Sequence, residues 1–281
     1  MERARTVEEL RLHGQAWRDL GNILAIVPTM GALHAGHLSL VEEARSHADK
    51  VMVSIFVNPT QFAPDEDFAA YPRDIEGDMK KLSDAGVDLV FTPSVEVMYP
   101  QGFATTMHVE GPARAGLEDA FRPTHFDGVA TVVAKLFIQS QADVAVFGEK
   151  DYQQLQVIRR MARDLDIPVK VIGAPTMREE DGLAMSSRNA YLSPKERARA
   201  PALHAALQQA RSAILAGEPI SQACAGALEQ IEKAGFRPDY LEARHAETLD
   251  RVGDDAAGDT PLRLLAAARL GKTRLIDNIP L

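Results

Sequence analysis

Residues 23–37, Ile23-Leu24-Ala25-Ile26-Val27-Pro28-Thr29-Met30-Gly31-Ala32-Leu33-His34-Ala35-Gly36-His37, decide how the chain reads. The five apolar residues Ile23 to Val27 make a compact run that stops at Pro28, which is a buried strand in form. A helical pattern follows from about Gly36, with Leu38, Val41 and Ala44 spaced by three. Strand, glycine-bearing turn and helix therefore follow one another directly. Open α/β sheets bind ligands where strands end, and a helix N-terminus there offers free N–H groups and a positive dipole end to phosphate. Gly31 and Gly36 let the backbone approach such a ligand closely. His34 and His37, three apart on an early helical turn, share a face from which two imidazoles can donate hydrogen bonds to phosphate oxygens.

The same alternation continues downstream. Val51 to Val57 reads as a second strand, stopped at Asn58-Pro59, and Asp88 to Thr92, Asp143 to Phe147 and Val169 to Ile172 read as further strands. Between the last two, Asp151 to Leu165 carries Leu155, Ile158, Met161, Ala162 and Leu165 on one stripe, as a helix requires. Near-continuous apolar strands separated by helices predict an α/β fold, a Rossmann-like parallel sheet with helices on both faces. The pattern changes after about Thr176. Residues 175–188 are polar and loop-like, helices then dominate, and the end from Tyr240 through Leu262–Leu265 to Leu275-Ile276 reads as short strands. The expectation is a first domain over 1–176 and a smaller α+β domain over 177–281.

Of the 281 residues 46% are hydrophobic and 25% charged, an ordinary soluble composition. A net charge of −9 argues against a sequence-independent nucleic-acid binder, though a local cationic pocket remains compatible with it. The single cysteine, Cys224, can form no internal disulfide and reads as a buried structural thiol. With no apolar run long enough for a membrane span and no apolar signal core at the N-terminus, the cytoplasm is the expected location. A zinc site at His34 and His37 would need further ligands, and no Cys/His cluster supplies them.

A second motif lies in the polar stretch: Gly182-Leu183-Ala184-Met185-Ser186-Ser187-Arg188-Asn189. Two hydroxyls and a guanidinium on a loop can grip phosphate oxygens by charge-assisted hydrogen bonds. Taken with His34-Ala35-Gly36-His37, this loop resembles the adenylate-forming nucleotidyltransferase superfamily. Further segments narrow the resemblance to the pantothenate synthetase family: Ser54 to Phe62, Tyr71-Pro72-Arg73, Arg122 to Gly128, Phe147 to Leu155 and the ending Thr273 to Asn278.

The resemblance implies an ATP-dependent ligase that joins pantoate to β-alanine through a pantoyl-adenylate. It implies that Met30, Gly31, Ala32, Leu33, His34, Ala35, Gly36 and His37 line the ATP site, with His37 donating a proton to the leaving pyrophosphate. Gly148, Glu149, Lys150 and Asp151 are expected to bind ATP, Lys150 on phosphate and Asp151 near the ribose. Met177 is expected to meet the adenine through its backbone, and Met185, Ser186, Ser187 and Arg188 to close over the phosphates. Gln61 and Gln154 are assigned to pantoate, with Gln61 beside the β-alanine site. His37, His34 and Lys150 carry the catalytic roles. Magnesium accompanies ATP, with Asp78 as its candidate ligand. Arg122 and His125 are expected to orient β-alanine or cap the pocket, with a purely structural pairing the alternative for Arg122. The family also implies a homodimer, and the second domain is expected to close over the labile adenylate. Two alternatives remain: a plain nucleotidyltransferase on the same ATP grip, and an ATP-binding sensor without chemistry.

Overall fold

A computed structural model describes residues 1–63, 68–254, 256, 258 and 260–281. Six parallel strands, β1 (Glu2–Ala4), β2 (Leu24–Thr29), β3 (Lys50–Ile55), β4 (Leu89–Phe91), β5 (Val144–Gly148) and β6 (Lys170–Ala174), form one sheet in the order β1-β4-β3-β2-β5-β6. Three strands, β7 (Arg237–His245), β8 (Leu262–Leu270) and β9 (Thr273–Pro280), form a separate antiparallel sheet. The expected α/β class is thus borne out. Contacts group the chain into two compact units: residues 1–148 with 154–175, and residues 149–153 with 176–281.

Period-2 alternation builds the first unit. Leu24, Ile26, Met52, Leu89, Phe91, Ala145 and Phe147 join one apolar cluster, while Ala25, Val27, Val51, Val53, Val90, Val144 and Val146 join another. The first cluster takes in Leu10 of helix α1 (Val7–Arg18) and residues of the helices His125–Ser140 and Tyr152–Asp164. The second takes in Leu40, Val41 and Ala44 of helix α2 (Ala35–Arg45) and Leu82 of helix α3 (Ile75–Asp84). Helices therefore cover both faces, as continuous apolar strands demand.

From β2 the chain moves outward through β3 and β4, and β5 and β6 then line up on the other flank of β2. The order reverses between β2 and β5, and a ligand crevice is expected outside the carboxyl ends of the strands at such a point. The segment 30–37 leaves β2 there, and β5 ends there at Gly148.

Two boundaries differ from the reading of the sequence. Strand β2 runs through Pro28 to Thr29 instead of stopping at Pro28. The Thr29 carbonyl accepts the Phe56 N–H and so faces β3, which turns the nitrogen of Pro28 toward β5. Pairing with β5 ends at Ile26, so no ladder bond is missing there. The N-terminal Glu2–Ala4 also forms an edge strand against β4, too short to carry a pattern in the sequence.

In the second unit the helices Ala202–Leu215 and Ile220–Lys233 pack Leu203, Ala206, Leu207, Ala223, Ala227 and Ile231 into one core with Leu241, Leu264, Ala266 and Leu275 of the sheet. The strands are longer than the short ones expected, because β8 is alanine- and leucine-rich on both faces and shows little alternation. Cys224 lies in this core as a free buried thiol, its pKa pushed up to about 11 by burial. Among the described residues no helix is long and apolar enough to cross a membrane.

Candidate active site

After Thr29 the backbone enters the left-handed region twice in succession, at Gly31 (φ 83°) and Ala32 (φ 52°). A left-handed alanine costs about 1 kcal/mol or more, so something must hold it. The holder is Asp78 on α3, whose Oδ2 accepts the Ala32 N–H and whose Oδ1 accepts the Leu33 N–H, each at 2.8 Å. Its carboxylate is 1% exposed, with Lys81 Nζ at 3.7 Å from Oδ1. Lys81 in turn donates to the Leu33 carbonyl at 2.7 Å. A Cβ at position 31 would lie 3.0 Å from Asp78 Oδ2 and 3.2 Å from Ile55, so both the dihedral and the space call for glycine.

This turn delivers His34 to the N-cap of α2 and His37 to the third position of the helix. Histidine is an unusual cap, the common choices being Ser, Thr, Asp and Asn. Here His34 Nδ1 accepts the Gly36 N–H at 3.2 Å, and His37 Nδ1 accepts the His34 N–H at 3.3 Å. An accepting Nδ1 carries no proton, so both rings are held as the Nε2–H tautomer. The ring centroids are 4.1 Å apart. His34 is thus the cap itself and not a residue of the first turn, and reciprocal capping is what keeps the two rings together.

Gln61 is held as closely. It ends the turn Pro59–Gln61 after β3, and a Cβ at Gly128 would run into the Thr60 carbonyl oxygen, so only glycine lets this turn settle on the helix His125–Ser140. Asn58, buried, donates from Nδ2 to Gln61 Oε1 at 3.0 Å, and its Oδ1 accepts from the Tyr99 hydroxyl at 2.7 Å. Because Asn58 supplies a donor, the Gln61 oxygen faces it and the Gln61 Nε2 points to Met30 Sδ at 3.3 Å. His125 Nδ1 and Arg122 Nη2 lie 3.0 and 3.3 Å from the Gln61 carbonyl oxygen, while Arg122 Nη1 lies 3.1 Å from His125 Nε2. Arg122 thus makes the structural pairing left open for it, and with His125 it clamps the Gln61 backbone. Gln154 is half-buried in the first turn of the helix that follows β5. Gln61 and Gln154 thus both leave the carboxyl ends of strands, β3 and β5, that flank β2.

The second unit carries the other expected groups. Glu149–Asp151 is a single 3-10 turn directly after β5, with Lys150 Nζ 3.7 Å from Asp151 Oδ2. Residues 177–185 fold back on themselves: Met185 N–H donates to the Met177 carbonyl at 2.9 Å, and Arg178 pairs with Ala184. The Met177 carbonyl is therefore already engaged in the turn. Ser186 Oγ caps the following 3-10 turn by accepting the Arg188 N–H at 3.2 Å, and Met185 to Arg188 are half-buried.

The profile of the pantoate–β-alanine ligases, "Pantoate-beta-alanine ligase", matches residues 2–280 of the chain. The chain belongs to this family. It is 59% identical to the pantothenate synthetase of Rhodopseudomonas palustris over 98% of its own length and 97% of the relative's. Identity to the pantothenate synthetase of Caulobacter vibrioides is also 59%, over 98% and 96%. Among solved structures it matches the Thermus thermophilus pantothenate synthetase with a TM-score of 0.91 at 50% identity, covering 99% of both chains. The Francisella tularensis pantoate–β-alanine ligase, complexed with β-γ ATP and β-alanine, matches with a TM-score of 0.81 at 33% identity, over 100% and 97%.

Both Asp78 oxygens take backbone N–H groups from inside the protein, so holding the turn is the role its printed contacts give it. Among the described residues no cluster of three His, Cys, Asp or Glu side chains forms a metal site. Asp78→Ala leaves two buried N–H groups without an acceptor, a loss of roughly 2–5 kcal/mol. Thermal unfolding of Asp78→Ala and Asp78→Asn without any magnesium is the check. A lowered Tm in metal-free buffer is expected of a turn-holding carboxylate; an unchanged Tm with a raised magnesium requirement for turnover would support the ligand role instead.

Proposed function

We propose that the candidate residues placed above carry the family's reaction in this chain. That reaction is the ATP-dependent condensation of pantoate with β-alanine to pantothenate through pantoyl-adenylate, with AMP and pyrophosphate released. The observation that favours the assignment most is the pair of Nε2–H imidazoles fixed at the N-terminus of α2, at the switch point of the sheet.

In the first step a pantoate carboxylate oxygen attacks the α-phosphorus of ATP, and the bond to the β-phosphate oxygen breaks as pyrophosphate leaves. His34 and His37 donate from Nε2 to phosphate oxygens, where the N-terminal dipole of α2 adds to the field. The capping geometry favours hydrogen-bond donation by His37 over the proton donation implied by resemblance. A proton on its Nδ1 would break the bond from the His34 N–H. Lys150, Ser186, Ser187 and Arg188 supply charge and donors to phosphate oxygens. Met30 to Leu33, Ala35, Gly36, Gly148, Glu149 and Asp151 shape the ATP site, and Met177 and Met185 meet the base and phosphate regions.

Gln61 and Gln154 hold pantoate. Neutral amides suit its hydroxyls and carboxylate without a permanent ion pair that would blunt the nucleophile. Asn58 presents the Gln61 Nε2 as the outward donor, so Gln61 offers N–H to an oxygen. In the second step the unprotonated amine of β-alanine attacks the acyl carbon, the acyl–oxygen bond breaks, AMP leaves and the amine gives up a proton. Magnesium belongs to this reading as part of the substrate, bridging ATP phosphates and needing few protein oxygens.

Residues 1–176 are read as the ATP- and pantoate-binding domain and residues 177–281 as the smaller C-terminal lid domain. A single cysteine held as a buried free thiol fits the cytoplasm. The homodimer implied by the resemblance is checked by light scattering. Twice the chain mass of 30.6 kDa is expected, and a single chain mass would refute the dimer.

The reaction itself is tested by incubating the purified protein with MgATP and pantoate, with and without β-alanine, and following the products by mass spectrometry. Pantothenate with equal AMP and pyrophosphate, dependent on both acids, is expected. A nucleotidyl conjugate would support the plain nucleotidyltransferase, and ATP binding without turnover would support the sensor.

A further inference from the structure

Two adjacent residues of β9, Asp277 and Asn278, are polar and buried in a strand otherwise made to pack. Neighbours on a strand point to opposite faces. Asp277 shares its face with Leu275 and Ile279, which enter the apolar core of the second unit. It takes a bidentate pair from Arg178, at 2.7 and 2.9 Å, and His204 Nδ1 lies at 3.4 Å. Burial alone would raise this carboxyl, but His204 and Arg178 hold it below the usual carboxylate range. Arg178 also donates to the Gly182 carbonyl, and so ties the 177–185 turn to the strand.

Asn278 faces the other way. Its Nδ2 donates to the carbonyl oxygens of both Glu149 and Lys150, each at 2.9 Å. Its Oδ1 accepts from Arg263 Nε at 2.7 Å. The Arg263 Nη2 closes the ring on Glu149 Oε2 at 2.9 Å, and its guanidinium lies 4.1 Å from the centroid of Tyr152. Two consecutive carbonyls are thus gripped by one amide, and that amide cannot rotate because a buried arginine fixes its oxygen. A turn that needed only burial would require none of this; a turn whose middle side chain must aim at one place does.

We propose that Asn278, locked by Arg263, is the positioning residue for Lys150. It fixes the backbone on both sides of the Lys150 Cα, and so sets the direction in which the ammonium leaves the turn. This assignment rests on the reading of Lys150 as a phosphate-binding group. Lys150 stabilises charge on the phosphates in the adenylation step, so an error in its placement acts on that step and not on the use of β-alanine.

The test is a double-mutant cycle with Lys150→Ala, Asn278→Ala and the pair, read as pantoate-dependent ATP–pyrophosphate exchange and as overall turnover. Asn278→Ala is expected to lower the exchange rate by about tenfold or more with an unchanged KM for β-alanine. The double variant is expected to be no slower than Lys150→Ala alone, because both changes remove the same interaction. Arg263→Lys, a milder change, is expected to give a smaller loss of exchange and keeps the test available if Asn278→Ala fails to fold. Ile231→Val, a core change in the same unit, controls for general destabilisation and is expected to leave the exchange rate unchanged below its Tm. Normal exchange in folded Asn278→Ala, or losses that multiply in the double variant, would overturn the positioning role. Normal exchange in Lys150→Ala would remove the premise about Lys150, and the proposal with it.

Discussion

One buried carboxylate makes the turn between β2 and α2 possible. Two left-handed residues in a row, one of them alanine, aim their following N–H groups into the protein, and unpaired N–H groups there would be costly. Asp78 accepts both of them. With the turn fixed, the chain enters α2 at His34, and the histidine cap and its partner His37 acquire their tautomers from the backbone itself. Remove the carboxylate, and the position, orientation and protonation pattern of both imidazoles lose their support together.

The same construction recurs at Gln61 and at Lys150. A side chain assigned to substrate is held by a polar group that is itself buried and fixed. Asn58 orients Gln61, and Tyr99 fixes Asn58; Asn278 grips the carbonyls around Lys150, and Arg263 fixes Asn278. Preorganisation of this kind suits a reaction in which the protein forms no covalent bond and works by placing donors where charge develops. The arrangement is also consistent with an acidic protein binding a polyanion, since a few placed cations and N–H groups matter more than net charge.

Much of this was legible in the sequence. The strand–turn–helix at 23–45 and the alternation of apolar strands with helices pointed to the fold class, because parallel strands buried on both faces leave continuous apolar runs. The candidate site residues were legible as segments, through glycine, histidine and Met-Ser-Ser-Arg patterns. Their supports were not. Asp78 was named by resemblance as a candidate metal ligand; its hold on the turn was not legible, because only the fold brings Ala32 and Leu33 to it from 46 and 45 residues away. Asn278 lay within a familiar ending, yet its bond to Lys150 spans 128 residues, a separation that no local pattern encodes. Pro28 was read as a stop by its missing N–H, whereas the structure turns that nitrogen to a side with no ladder to join.

The central claim is that the pantoate carboxylate attacks the α-phosphorus within this donor frame. Pantoate labelled with ¹⁸O in its carboxylate tests it most directly, with the AMP released during turnover weighed by mass spectrometry. One labelled oxygen in AMP is the predicted result, because the acyl–oxygen bond breaks when the amine attacks and leaves that oxygen on phosphorus. Unlabelled AMP formed alongside pantothenate would contradict the adenylate route and the assignment of the histidine and lysine donors to it.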